Sequence, residues 1–554
     1  MANHTLKIIP LGGAGEIGKN MTAFEYGRNI LIVDCGVMFP TTDQFGVDLV
    51  IPDWGYLKDK RDLVRGIVLT HGHEDHIGGL PFLLKDGLVD VPVYASRLTR
   101  GLIEVKLQEH ELLQSTQLNT IQAGDRFHIG PFEIEPIRVS HSIPDALALA
   151  IRMPVGLIVV TGDYKFDHTP IDGRPTDVAH LARLGAEGVL VLFGDSTGAE
   201  KRGGTPSERT VADALEDVFD EAQGRIIIAT FASQLSRVQQ VLRVARHHDR
   251  VVAVTGRSMS QNVQIAQELG YLDVPPGVMV SLEEALQRPH AQVVLLVTGS
   301  QGEPSAALSR MASGTHRQVN IEPGDTVVIS AHPIPGNEDN VSRVIDNLFR
   351  IGADVVYDRL ADIHVSGHGG QEDMKLMLSL LQPRYLVPVH GEYRHLVLHA
   401  RLGEQMGIPR SNIFIIENGQ TVLLEEESAH LGERVPGGWV FVDGGVVGDI
   451  GPVVLRDREA LAREGFVVAV VTLDGKTGQP IGRPQLVSRG FVYVRNNETL
   501  LTSAEEQILG AISNNGFKPG DTSAVESRVR RTLDRYFYDE TKRRPIILPV
   551  VQSV

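Results

Sequence analysis

The segment that most limits what this chain can fold into is THGHEDHIGG, residues 70–79. It follows the apolar run GIVL and sets His71, His73, Asp75 and His76 in the order H-x-H-x-D-H. The first two histidines can project from one side of a turn onto a single cation. Asp75 and His76, entering the next helix, can face a second cation a few ångströms away. Imidazole mixed with carboxylate suits Zn²⁺ or Mn²⁺. Gly72, Gly78 and Gly79 let the backbone turn tightly around such a cluster. The competing reading, a solvated polar turn, accounts poorly for four potential ligands in six residues.

The chain around this segment has 554 residues, enough for two to four domains. At 42% hydrophobic and 22% charged it has the composition of an ordinary globular protein. Lys and Arg total 53 against 69 Asp and Glu, a net charge of −16. That balance argues against broad coating of nucleic acid or an anionic membrane, while leaving room for a local basic groove. The single cysteine, Cys35, excludes an internal disulfide and cysteine-rich zinc modules; following Asp34 in an apolar strand end, it reads as buried and inert. No run approaches the roughly 20 apolar residues of a membrane helix, and MANHTLKIIPLGGAGEIGKN lacks the order of a signal peptide. A cytoplasmic setting is expected.

Over the first 200 residues, strand-length runs end at polar or glycine-rich turns: LKIIPLGG, NILIVDCG, GIVLTHGH, VPVYAS, FEIEPIRVSHS, GLIVVTGDY and GVLVLFGDST. Asp34, His71, His73, His141, Asp163 and Asp195 all sit at those ends, where loops carry sites. From about Ser207 the rhythm changes to helices alternating with continuous Val/Ile-rich strands, the pattern of a parallel, helix-covered sheet. Near 361–425 the first style returns, in ADIHVSGHGG and YLVPVHGEY. The simplest organisation is one domain (1–206 and 356–450) interrupted by an insert (207–355), then a linker (451–465) and a small C-terminal αβ domain (466–554). G-x-G-x-x-G at 13–18 does not suggest a dinucleotide site, because MTAFEYGRNILIVDCG after it reads as a hairpin where such a loop opens a helix.

H-x-H-x-D-H after a strand resembles the metallo-β-lactamase superfamily, an αββα sandwich. Its further ligands match in order: His141 in VSHSIPDA as the third histidine of one site, and Asp163 in VVTGDYKFD as the aspartate shared by both ions. Asp34 in LIVDCG resembles the family's buried aspartate that orients ligands. The α/β insert is similar to that of the β-CASP branch, whose members cleave nucleic acids. Asp195 in LFGDST matches its motif A, His368 in HVSGHGG motif B, and His390 in VPVHGEY motif C, where histidine goes with RNA. Within that branch the whole chain, with its opening LGGAGEIGKN and its C-terminal appendage, is similar to the ribonuclease J family.

The resemblance implies a two-metal ribonuclease, with Zn²⁺ or Mn²⁺ held by His71, His73 and His141 at one site, by Asp75, His76 and His390 at the other, and by Asp163 at both. Such ions lower the pKa of a shared water and neutralise charge on phosphate oxygens. His368 is the candidate proton donor, oriented by Asp195; whether His364 or His368 lies nearer the scissile phosphate stays open. Asp75 and His76 count among the catalytic residues as well as the ligands. The family digests single-stranded RNA from the 5′ end, favours a 5′-monophosphate, also cuts internally, and acts in mRNA decay and rRNA maturation. Phe231, Ala232 and Ser233 in FASQ, with His364, Val365, Ser366, Gly367 and His368, are the expected substrate-binding residues. Arg237, Arg243, Arg246, His247, His248 and Arg250 add positive charge in the insert. RVRRTLDRYFYDETKRR, 528–544, holds seven Lys/Arg against three acids, and reads first as a solvated face or a subunit contact. The family implies a homodimer or homotetramer, association with other RNA-degradation proteins, no membrane, and an additional structural divalent ion near Asp48 and Asp443. Other classes weighed are a small-molecule metallohydrolase, a DNA nuclease of the same fold and an idle RNA-binding subunit. The large insert and the HVSGH…VPVHGEY block speak against the first, His390 against the second, and seven complete ligand positions against the third.

Overall fold

A computed structural model describes residues 5–41, 43–334, 337–425, 428–448, 450–492, 498–513, 517 and 520–554. It forms two compact units, one of residues 1–39 and 49–440, the other of 40–48 and 441–554. The first unit is built on two facing sheets. One has eight strands in the order Ala429–Arg434, Gln420–Leu424, Leu6–Gly12, Met21–Tyr26, Asn29–Val33, Val64–Val68, Val93–Ala95, Leu118–Thr120. The other has six, in the order Tyr385–Val389, Val189–Asp195, Gly156–Val160, Leu147–Met153, Phe132–Arg138, Phe127–Ile129. Alternating apolar side chains from both close the space between them: Leu6, Phe24 and Leu31 meet Phe132, Leu149, Phe193 and Val387 in one buried cluster. Phe24 and Phe193 touch edge to face at 5.8 Å.

The outer face of the six-stranded sheet is covered by helices Val178–Glu187, Gln371–Leu381 and Tyr393–Gln405, through Leu181, Leu184, Met377, Leu381 and Ala400. Helix Arg97–Glu109 buries Leu98, Leu102, Ile103 and Leu107, an i, i+4 stripe, beside the edge strands of the eight-stranded sheet. This is the expected αββα sandwich. Thr22↔Val33 pairing makes 21–33 a hairpin, so the glycine-rich turn before it opens no helix. Strand Leu147–Met153 escaped the sequence reading because LALAIRM carries no turn residue to mark it.

Within the first unit, strands Val251–Thr255, Val293–Val297, Ile226–Ala229, Thr326–Ile329 and Asp354–Tyr357 form a parallel sheet in that order. Four of the five coincide with the Val/Ile runs of the sequence. The fifth, DVVY, is a short edge strand that carries the inserted sheet to residue 357, two residues past the expected boundary.

In the second unit, strand Phe466–Leu473 pairs antiparallel with Gln485–Arg489 and parallel with Ile546–Ser553. Helices Glu498–Ser513 and Thr522–Thr541 pack against it through Ile508, Val525, Val529, Leu533 and Phe537. The stretch expected to be a linker is helical over Pro452–Glu464, with proline in the first turn and Gly465 after the last. The strand expected in RGFVYVR ends at Arg489; residues 493–495 of that segment lie outside the described residues. Among the described residues no helix is long and apolar enough to cross a membrane.

Candidate metal centre

Seven side chains from four separated segments converge at the C-terminal ends of the sandwich strands. Strand Val64–Val68 delivers His71 and His73, and the four-residue helix Glu74–Ile77 delivers Asp75 and His76. His141 follows strand Phe132–Arg138, Asp163 follows Gly156–Val160, and His390 follows Tyr385–Val389. The loop after strand Asn29–Val33 runs against the helix, with Cys35 N donating to His76 O at 2.8 Å and Val37 N to Glu74 O at 3.0 Å. The approach leaves no room for a side chain at Gly36, whose Cβ would stand 1.6 Å from the Asp75 carbonyl oxygen. Asp34 and His390 both take left-handed backbone, φ 60° and 52°, a cost held in place by the surrounding structure.

The convergent atoms fall into two groups. In the first, His71 Nε2 and His141 Nε2 each lie 3.1 Å from His73 Nδ1, and 3.4 and 3.5 Å from Asp163 Oδ2. In the second, His390 Nε2 is 3.1 Å from Asp75 Oδ2 and 3.6 Å from Asp163 Oδ1, while His76 Nε2 is 3.3 Å from Asp163 Oδ1 and 3.6 Å from Asp75 Oδ2. Ligands about 2.0–2.1 Å from an ion at a tetrahedron's corners stand about 3.4 Å apart. The donor sets therefore fit two divalent cations sharing Asp163. Asp163 Oδ1 is buried and has no hydrogen-bond partner of its own, as an oxygen reserved for a cation should be.

The outward nitrogens are equally specified. His76 Nδ1 donates to Asp34 Oδ2 at 2.8 Å, and His141 Nδ1 to the Gly367 carbonyl at 2.8 Å. Thr70 Oγ1 gives its proton to Asp34, so at 3.0 Å it accepts from His71 Nδ1. Thr197 Oγ1 gives its proton to the His390 carbonyl and accepts from His390 Nδ1 at 2.5 Å. When neutral, each of these four rings is thus held in the tautomer that turns its lone-pair Nε2 inward. Thr70 and Thr197 were missed by the sequence reading. Their only signal is position, one residue before the histidine cluster and two after Asp195.

Burial keeps His71, His73 and His141 in the neutral form that binds metal, with His73 lowered to about 3. Burial also opposes charge on His76 and His390, but the carboxylates of Asp163 and Asp75 outweigh it and hold both above the usual histidine range. Burial pushes Asp163 upward, and the histidines around it bring it well below the ordinary carboxylate range. Without cations, the second group stores protons that metal binding must displace.

Beside this cradle, His368 Nδ1 lies 2.8 Å from Asp195 Oδ2, and His368 Nε2 is 3.8 Å from Asp163 Oδ2. The His368 ring packs on His141 at 5.0 Å and on His390 at 5.2 Å. Burial would lower its pKa, but Asp195 and then Asp163 raise it to about 9. Asp195 Oδ1 is itself anchored by the Thr197 amide at 3.0 Å.

His364 stands outside the two ligand groups. Its ring meets His332 edge to face at 4.6 Å, and its Nδ1 is buried without a partner. Val365 and Gly367 are buried and Ser366 half-buried; Ser366 Oγ accepts from the His368 amide at 3.0 Å. Gly367 passes so close that a Cβ there would lie 2.6 Å from His141 Cε1. Phe231, Ala232 and Ser233 are half-buried after strand Ile226–Ala229.

The expected basic surface of the insert is corrected in part. Arg237 is fully buried, and Arg250, 6% exposed, donates to the Ala222 and Gly224 carbonyls at 2.6 and 2.8 Å. His247 and His248 share Glu216, at 3.0 and 2.8 Å. Arg243 and Arg246 remain exposed. In the second unit Asp48 Oδ2 accepts from the Gly444 amide at 2.7 Å and Asp443 is paired with Arg458 at 2.6 Å. Neither joins a group of three or more potential ligands among the described residues. Cys35 is buried, and burial pushes its thiol pKa up.

Four family models match the chain. They describe a beta-lactamase superfamily domain over 28–218, a ribonuclease J beta-CASP domain over 223–348, a Zn-dependent metallo-hydrolase RNA specificity domain over 353–415, and a ribonuclease J C-terminal domain over 453–554. Among curated relatives, ribonuclease J 1 of Streptococcus pyogenes is 43% identical across 100% of this chain and 99% of its own length. Ribonuclease J of Thermus thermophilus is 44% identical across 99% of this chain and 95% of its own. Ribonuclease J2 of Bacillus subtilis is 41% identical across 99% of each. A solved structure of a protein of unknown function from Enterococcus faecalis superposes with TM-score 0.53 at 15% identity, covering 76% of this chain and all of that one, a likeness of fold alone.

Proposed function

The chain belongs to the ribonuclease J family, and on that premise we propose how this metal-dependent ribonuclease is assembled and how it acts. His71, His73 and His141 would hold one divalent cation and Asp75, His76 and His390 the other, with Asp163 a ligand common to both. When bound, Zn²⁺ or Mn²⁺ ions there supply Lewis-acid chemistry, lowering the pKa of water and offsetting charge that grows on the phosphate oxygens. The observation that carries this reading is Asp163 itself, with its two oxygens facing two separate donor sets at tetrahedral spacing.

The protein's own part is positioning and proton transfer. Asp34, Thr70 and Thr197 fix the tautomers, so the site stays ordered through turnover. His368 donates Nδ1–H to Asp195, which leaves Nε2 as the atom that protonates the departing 3′-oxygen. The carboxylate keeps that imidazole charged and oriented until the bond breaks. Products are a 5′-phosphate and a 3′-hydroxyl. Ser366 and Gly367, with Phe231–Ser233, form the grip on single-stranded RNA, and Phe231 stacks on a base.

The protein digests RNA from a 5′-monophosphate end, also cuts internally, and serves mRNA decay and rRNA maturation in the cytoplasm as a homodimer or homotetramer. An internally labelled oligoribonucleotide with a 5′-monophosphate or 5′-triphosphate, run beside the matching DNA, tests this. Mononucleotides released from the monophosphate RNA alone, lost with chelator and restored by Mn²⁺ or Zn²⁺, are the expected result. Equal cleavage of DNA, or indifference to the 5′ end, would overturn the polarity and substrate assignments.

A further inference from the structure

A buried charge chain links the metal cradle to the segment that precedes His368. Arg237, on helix Leu235–His247, is completely buried, although its surroundings in sequence suggest a surface cation. Its Nη2 donates to Glu208 Oε2 at 2.9 Å and its Nε to Gln240 Oε1 at 2.9 Å. Its Nη1 donates to Ser330 Oγ and, at 2.6 Å, to the Ile363 carbonyl; Ser330 Oγ donates to that same carbonyl at 2.6 Å. The other oxygen of Glu208 faces Lys165 Nζ at 3.7 Å. Lys165 lies two residues after Asp163, and its amide donates at 2.8 Å to the Ser140 carbonyl, next to His141.

The segment 363–367 is therefore fastened at both ends. Gly367 is tied to the metal-facing ring of His141, and Ile363 is tied to the inserted sheet through Arg237 and Ser330. A planar guanidinium is required at the second anchor, because it must present donors to an acid, a hydroxyl, an amide oxygen and a main-chain oxygen at once. A buried, unpaired charge at either end of the chain would be costly, so Arg237, Glu208 and Lys165 have to move together.

We propose that Arg237 is a positioning residue that sets the His364–His368 segment against the metal cradle and so couples the seating of the inserted domain to RNA cleavage. The inference rests on the reading of 364–368 as part of the RNA grip. The consequence is selective: a substrate that needs only the metal centre should be indifferent to Arg237 in a way that RNA is not.

The test compares the full-length, metal-loaded protein with its Arg237→Met, Arg237→Lys and Ser330→Ala variants on two substrates. One is a 5′-monophosphate oligoribonucleotide, the other bis(p-nitrophenyl) phosphate, whose leaving group needs neither a grip nor a proton donor. Misplacing a binding group by about 1 Å costs roughly 100-fold. For Arg237→Met, kcat/KM on RNA should fall by about that factor, the preference for 5′-monophosphate over 5′-hydroxyl RNA should shrink, and the small diester should lose far less. Arg237→Lys should recover only part of the loss, and Ser330→Ala, which removes one anchor, should lose about 3–10-fold on RNA. Equal losses on both substrates, or RNA cleavage at the parental rate, would overturn the proposal. Should Arg237→Met fail to fold, the Ser330→Ala comparison decides it in the same terms. A parent protein that hydrolyses the small diester and leaves RNA intact would overturn the functional reading itself.

Discussion

The metal cradle and the inserted sheet use charged side chains in opposite ways. In the cradle, buried histidines and carboxylates leave polarity unspent: the inward nitrogens are turned on one another and on carboxylates, and Asp163 Oδ1 has no hydrogen-bond partner among the described residues. In the insert, the buried cations are used up, Arg237 on four groups and Arg250 on two carbonyls. Unspent buried polarity marks a place made for something else to bind, and spent polarity marks architecture. The distinction yields an ordering of substitution effects.

The largest effects belong to the unspent atoms. Asp163→Ala removes an oxygen from both donor sets and should lower RNA cleavage by at least about 10⁴-fold. Bound metal, measured by mass spectrometry on the folded protein, should fall below two per chain, and circular dichroism should be unchanged. A fully metallated, active Asp163→Ala would break the assignment. His76→Ala should cost nearly as much. His368→Ala should reduce single-turnover cleavage by about 10²–10⁴-fold, with RNA affinity nearly intact. If affinity and rate fall together, His368 is a grip.

How much of this was readable beforehand follows the same division. Local spacing exposed the first half of the cradle, since H-x-H-x-D-H lies in six consecutive residues; Asp34, His141, Asp163 and His390 each end an apolar strand, and only the family resemblance joined them to it. The tautomer-fixing threonines were invisible, because Thr70 and Thr197 act through contacts that span up to 193 residues. Arg237, Arg243, Arg246 and Arg250 read alike in sequence, yet two are buried and two exposed. An i, i+3, i+4 pattern gives a helix face, and only the tertiary partner decides what that face meets. The strand DVVY and the helix Pro452–Glu464 were missed for related reasons: one is too short to show a period, and the other carries six apolar residues among its thirteen, in two short clusters with no broad stripe.

Intermediate effects come from the groups that hold the cradle's histidines. Thr197→Val deletes the acceptor for His390 Nδ1 and should weaken the second cation by about 10–100-fold. Titration with Mn²⁺ should show one site shifted and the other unmoved; two equal shifts would mean that Thr197 supports the whole loop. His399 offers a pH-dependent contrast, as a buried histidine that binds nothing from outside. Burial lowers its pKa to about 4, and Ser196 Oγ accepts from its Nδ1 at 3.0 Å. Its ordinary pKa is about 6.5, so the unfolded chain takes up a proton there while the folded one does not. The stabilisation from keeping it neutral is complete above pH 6.5 and is lost as pH falls toward 4, by on the order of 3 kcal/mol. His71, His73 and His141 are also kept neutral by burial, so urea unfolding from pH 7 to 4 should lose stability less steeply in His399→Gln than in the parent, by the share of this one proton.

The smallest effects should separate the two kinds of arginine within the insert. Arg246 is exposed on helix Leu235–His247, whereas Arg250, just beyond that helix, is folded back onto the end of helix Arg209–Glu221. If Arg246 meets a phosphate, Arg246→Ala weakens RNA binding about uniformly across sequences and reduces the salt slope by about one, with stability unchanged. Arg250→Ala strands the Ala222 and Gly224 carbonyls and should cost about 1–3 kcal/mol of stability, with the salt slope of binding untouched. The two measurements are independent, so the pair can fail in an informative way. A salt-slope change in Arg250→Ala would show that the folded cation still contributes to the field felt by RNA, and that burial alone does not remove a charge from the binding surface.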